Sequence, residues 1–79
     1  MDTKTIDWIR KNTNNNFQND TPIIEYFNKK RKNKEYLSKV KAELIKDIEH
    51  FGSYGLIVGA EFLQKRNDEL KYINYLIKN

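Results

Sequence analysis

Residues able to do covalent chemistry are few in this chain. His50 is the only histidine and cysteine is absent. Disulfides, thiolate nucleophiles and zinc sites built from His and Cys are therefore excluded. Nucleophilic catalysis needs a Ser, Thr or Lys beside a base. Ser53 lies near His50, but no third orienting residue or oxyanion loop accompanies the pair. Ser38 sits among charges. Glu43 with Asp47, and Glu61 with Lys65, fall four residues apart and read as solvated helix faces, not acid–base pairs. Gly52-x-x-Gly55-x-x-x-Gly59 lacks the Lys-Ser/Thr ending of a phosphate-binding loop. The expectation is a protein that is not an enzyme, with no cofactor, no metal and no small-molecule substrate.

Binding chemistry is concentrated elsewhere. Residues 29–41 carry seven cations against Glu35 alone, while each flanking part has one more acid than cations. The formal charge of +4 thus comes from one short stretch. A focused positive field attracts anionic partners better than the same charge spread evenly. Across Tyr26–Tyr36, at the start of that stretch, Lys29, Lys30, Arg31, Lys32 and Lys34 are flanked by Tyr26, Phe27 and Tyr36. Lysine and arginine neutralise phosphates and aromatic rings stack on exposed bases, so this segment is a candidate site for nucleic acid or for an acidic protein surface. Arginine, the better reader of base edges, is scarce, which predicts weak sequence specificity.

The elements that must position these residues read as helices. Asp2 or Thr3 suits the cap of a first helix over Thr3–Lys11, with Ile6 and Ile9 on one face beside Trp8. The Asn-rich stretch Asn12–Thr21 reads as a flexible linker, with Phe17, its one apolar residue, the candidate to pin the loop down. Thr21 suits the N-cap, and Pro22 the first position, of a helix over Pro22–Lys29 that frays among adjacent cations. A longer helix over Lys34–Phe51 gathers Leu37, Val40, Leu44, Ile48 and Phe51 in a stripe roughly 80° wide. Gly52 suits its C-terminal stop and Gly52–Gly55 a turn. A fourth helix is expected over Leu56–Lys78, where Leu56, Leu63, Leu70 and Ile77 repeat every seven residues and predict lengthwise packing on another helix. A helix-turn-helix reading fails, because Leu56–Ala60 is wholly apolar where a recognition helix presents polar residues to bases.

The expected fold is one all-α domain of three or four helices, dominated by a C-terminal antiparallel hairpin across which the short helices pack. Lys41–Ile77 is similar in length and pattern to small helical-hairpin phosphatases acting on a phosphorylated sporulation regulator. Their second helix carries Ser-Gln-Glu-Leu-Asp where this chain has Asn67-Asp68-Glu69-Leu70-Lys71, so only Glu69 and Leu70 agree. The resemblance implies a helical hairpin and carries over no activity.

A second apolar face near the C-terminus, with Tyr72, Tyr75 and Leu76 off the heptad line together with Lys71 and Lys78, is more than a simple hairpin needs. Either the first helix docks there, or these residues and Trp8 form a protein interface, a homodimer through the C-terminal helix included. No apolar run reaches the roughly 18–20 residues that span a bilayer, and the first residues lack a secretory apolar region, so a cytoplasmic protein without membrane contact is expected. Lysine outnumbers arginine 12 to 3, and Asn and Ile are abundant. These residues have AT-rich codons, which points to an AT-rich genome and to a phage or another mobile element, acting inside its host cell. The leading functional expectation is a small regulator or inhibitor that binds a protein surface. The alternative is a low-specificity nucleic-acid binder using 29–41, and the third reading is a structural subunit of a larger assembly.

Overall fold

The computed structural model describes residues 1–52 and 60–79. The expected turn after Gly52, the helical start at Leu56–Gly59, the Phe51 side chain and the Ser53–His50 pairing lie outside the described residues. Among the described residues the chain is all-α with no strand: α1 (Thr3–Asn12), α2 (Asn15–Gln18), α3 (Thr21–Lys29), α4 (Lys34–Gly52) and α5 (Ala60–Lys78). α4 and α5 pack on each other as the C-terminal helical hairpin, and α1 and α2 pack on α5. No helix among the described residues is long and apolar enough to cross a membrane.

Local chemistry explains the helix ends. The Asp2 carboxylate accepts the Thr5 N–H at 2.8 Å and caps α1. At its other end the Thr13 hydroxyl and N–H both donate to the Ile9 carbonyl, at 2.6 and 3.1 Å. α3 starts one residue earlier than the sequence pattern suggests. Asp20, not Thr21, is the N-cap; its carboxylate accepts the Ile23 N–H and is paired at 2.6 Å with Lys65 of α5. That ammonium, reinforced by the Ile23 N–H, holds the Asp20 carboxyl below its ordinary range against the opposing pull of burial. The hairpin thereby fixes the start of α3, a preference no local propensity encodes.

The largest departure from expectation is Asn12–Thr21. In place of a flexible linker the chain forms α2, and Phe17 is wholly buried in the main core. Two contacts hold this segment. The Phe17 ring meets Tyr72 edge-on, with centroids 5.7 Å apart and planes at 62°. The Asp68 carboxylate accepts the Asn14 N–H and side-chain amide at 2.9 and 3.1 Å. Asp68 is only 1% exposed, so these bonds are what make its burial tolerable. Glu69 is likewise buried and takes a 2.9 Å bond from Arg66.

On α4 the expected stripe is the core-facing one: Leu37 and Leu44 are buried, with Val40 and Ile48 half-buried. On α5 it is not. The described members of the heptad line, Leu63, Leu70 and Ile77, are half-buried flanks, while Tyr72, Ile73, Tyr75 and Leu76 occupy the centre. The reason is that α5 has α4 on one side and α1 and α2 on the other, so a wider arc than one seam is covered. α1 turns Thr5 and Ile9 inward and leaves Ile6 37% exposed, because the Thr5 hydroxyl meets the Tyr75 phenol at 3.4 Å in the buried interface.

Replacing Phe17 by Ala should cost about 3–5 kcal/mol in chemical denaturation, most of the stability of so small a chain. A loss under about 1 kcal/mol would show that α2 is not part of the core. Tyr72 gives a second test. Burial pushes its phenol up to about 12 from 10.0, so the folded state holds the proton more tightly than the unfolded chain. The resulting stability, on the order of 2–3 kcal/mol, is whole below about pH 10 and is lost as pH rises toward 12. Tyr72→Phe should cost about 1 kcal/mol at neutral pH and remove this part of the alkaline loss. Equally steep alkaline loss in the variant would refute the assignment.

Candidate functional site

The five cations of the basic segment meet at one corner, where α3 ends and α4 begins. The α3 terminus is drawn tight by Lys30 and Arg31 N–H groups bonding to Phe27 and Asn28 carbonyls, and the Asn33 N–H closes the turn onto Lys30 at 2.9 Å. The Asn33 side chain then accepts the Tyr36 N–H at 3.1 Å and starts α4.

Three cations of this corner have internal partners. The Lys30 ammonium stands 5.7 Å from the ring centroids of both Tyr26 and Tyr36. Those two phenols share a 2.8 Å hydrogen bond, and the Phe27 ring abuts Tyr26 edge-on at 5.5 Å. The bond to Tyr26 raises the Tyr36 pKa above its ordinary value. Arg31 is 3.6 Å from the Asp2 carboxylate. Hydrogen bonding from Thr5, with Arg31 beside it, holds the Asp2 carboxyl below its ordinary range. Lys34 donates to the Leu76 carbonyl in the last turn of α5, where the helix dipole favours a cation. Lys29 and Lys32 are exposed and have no ion-pair partner among the described residues. α3 ends at Lys29 and residues 30–32 turn into α4, with Phe27 and Tyr36 half-buried against the core.

The second sequence-selected set is placed differently. Tyr72 and Leu76 are fully buried and Tyr75 is 9% exposed. The first helix docks over them: Trp8 stacks on Tyr75 with centroids 4.6 Å apart and planes at 25°, and lies 6.3 Å from Tyr72. Of the two alternatives for this face, the structure has the docked first helix on Tyr72 and Tyr75, with Leu76 buried beside them. Only Trp8, half-buried, remains at the surface.

Ser38 and His50 are exposed on α4, as are Glu43 and Asp47. Sequence reading passed over Lys4 and Lys11, which line the surface around Trp8. Their signal was present in the i, i+4, i+7 spacing of Lys4, Trp8 and Lys11, which puts all three on one side of α1.

No protein-family model, no curated protein and no solved structure matches this chain. The functional reading consequently stands on the geometry alone.

The Tyr26–Tyr36 bond is directly measurable. In an ultraviolet pH titration, Tyr26→Phe should return the Tyr36 phenol toward its ordinary value of 10.0. An unchanged Tyr36 titration would mean that the two phenols are not bonded in solution.

Proposed function

We propose that the protein is a non-catalytic nucleic-acid-binding protein of low sequence specificity that holds phosphates at the corner formed by residues 29–34. The observation that carries this reading is the gathering of five cations around the α3–α4 turn, three of them exposed and two half-buried, with Asp2 paired to Arg31. The internal contacts support the reading in a further way. They fix Lys30, Arg31 and Lys34 in place, so less side-chain freedom is lost when an anion docks. Engagement of the single corner arginine by Asp2 leaves the exposed charge to lysines, which are point charges without a bidentate fork. That favours backbone binding over base reading.

A small regulator or inhibitor acting on a protein surface is the second reading. It is favoured by Met1 and Ile6, 48% and 37% exposed, which with Ile9, Arg10 and Ile24 line a groove of about 310 Å³ between α1 and α3. The aromatic anchors that first suggested a protein partner no longer speak for it, since Tyr72 and Tyr75 are internal.

Titration with duplex and single-stranded oligonucleotides at two salt concentrations decides between the two. About five phosphate contacts should make log K fall with log salt at a slope of about −3.5 to −4.5. Lys29→Ala/Lys32→Ala changes only exposed side chains and should lower that slope by about 1.4 to 1.8. Salt-independent binding, or a variant that binds like the parent, would remove the nucleic-acid reading.

A further inference from the structure

The face between α1 and α5 carries an arrangement that the corner does not explain. Trp8 is half-buried at its centre, braced from beneath by the stacked Tyr75 ring. Two shallow grooves of about 430 and 420 Å³ flank it, and the Trp8 ring forms a wall of both. Lys4 and Lys11 line the first groove; Lys71 and Lys78 line the second. Four lysines thus line the grooves on either side of one aromatic residue, with Asp7 an acid in the first groove. Lys4, Lys11 and Lys78 are exposed and make no ion pair among the described residues. Lys71 stands 4.0 Å from Asp68, whose other carboxylate oxygen already accepts two bonds from Asn14.

Charge and shape together point to one occupant. α1 runs antiparallel to α5, since Thr5 meets Tyr75 while Asn14 meets Asp68. Lys4 and Lys78 therefore lie toward the end of the molecule where Asp2 holds Arg31 and the Leu76 carbonyl holds Lys34. The groove lysines and the corner are thus joined through the same end of the α1–α5 pair. A braced aromatic ring among lysines suits a base with an open π-face and its neighbouring phosphates. In a duplex the base faces are already stacked and inaccessible to such a ring.

We infer that the α1–α5 face binds single-stranded nucleic acid, seating one base against Trp8 and the flanking phosphates on Lys4, Lys11, Lys71 and Lys78. This rests on the nucleic-acid reading of the corner and extends it by naming the strandedness and the path.

Trp8 is the single tryptophan, so its fluorescence reports on this face alone. The probe is an oligothymidylate of about ten nucleotides, beside a duplex of the same length and a polyglutamate peptide. The single strand should quench Trp8 emission and lose about 50-fold in affinity between about 50 and 200 mM salt from the groove lysines alone. Lys71→Ala/Lys78→Ala and Lys4→Ala/Lys11→Ala, all exposed side chains, should each lower the salt slope by about 1.4 and reduce the quenching. Binding that depends on Lys29 and Lys32 but leaves Trp8 emission unchanged would overturn the inference and leave the corner standing. Quenching that survives intact in Lys29→Ala/Lys32→Ala would support the groove and remove the corner. Equal quenching by the duplex or by polyglutamate would overturn it, as would the absence of binding by any oligonucleotide.

Discussion

One side chain ties the whole molecule together: Tyr72, in the middle of the last helix. Its ring lies 6.3 Å from Trp8 of α1 and meets the edge of Phe17 in α2, and its hydroxyl donates to the Ile24 carbonyl of α3 at 3.1 Å. One residue thus touches all three short helices, beside the further contacts of Trp8 with Tyr75, Asn14 with Asp68 and Asp20 with Lys65. None of the three is long enough to persist alone, α2 having four residues and α3 nine. Their helicity is a tertiary property, and Tyr72 supplies both the apolar contact and the polar bond that it requires. The phenol suits this position because its body is apolar while its one polar atom reaches a carbonyl.

The buried acids follow from the same arrangement. Packing the short helices against α5 places Asn14 on Asp68 and Ile23 of α3 beside Glu69. The fold tolerates them because Asn14 and Arg66 supply donors within 2.9 Å. Asp68 gains a further role, since its charge lies at the amino end of α2, where the helix dipole favours an anion. A cost of burial has become a positional lock on the Asn-rich segment.

Legibility of the fold divides along sequence separation. The stripe Leu37–Val40–Leu44–Ile48 was readable because a long helix repeats its own period and needs one neighbour. Phe17 was readable only as a candidate anchor, because its partner Tyr72 is remote in sequence and nothing local separates an anchored loop from a free one. The Leu63–Leu70–Ile77 line misled for a related reason: a heptad marks one seam, whereas α5 is covered on two sides. Asp20 displaced Thr21 as the cap of α3 because Lys65 waits there, again from a distant helix. The candidate site divides in the same way. Charge is additive along the chain, so the basic corner could be counted from residues 29–34. The lysines of the two grooves beside Trp8 come from Lys4 and Lys11 near one end of the sequence and Lys71 and Lys78 near the other, and meet only once α1 lies antiparallel to α5.

Internal contacts of the corner cations bear on how much of their charge a ligand meets. A cation over an aromatic ring keeps its full charge, as does an ammonium bonded to a carbonyl. Lys30 and Lys34 are therefore oriented without being neutralised. Arg31 alone faces a carboxylate, and that pair is 32% and 52% exposed, where solvent screens much of the attraction. Asp2 is in turn bound to the Thr5 N–H, so its charge is shared with the start of α1. The structural duties of these residues and a role in anion binding are consequently compatible. The contacts that join α3, α4, α5 and the first turn of α1 at this end are the same ones that hold the positive field in a single place.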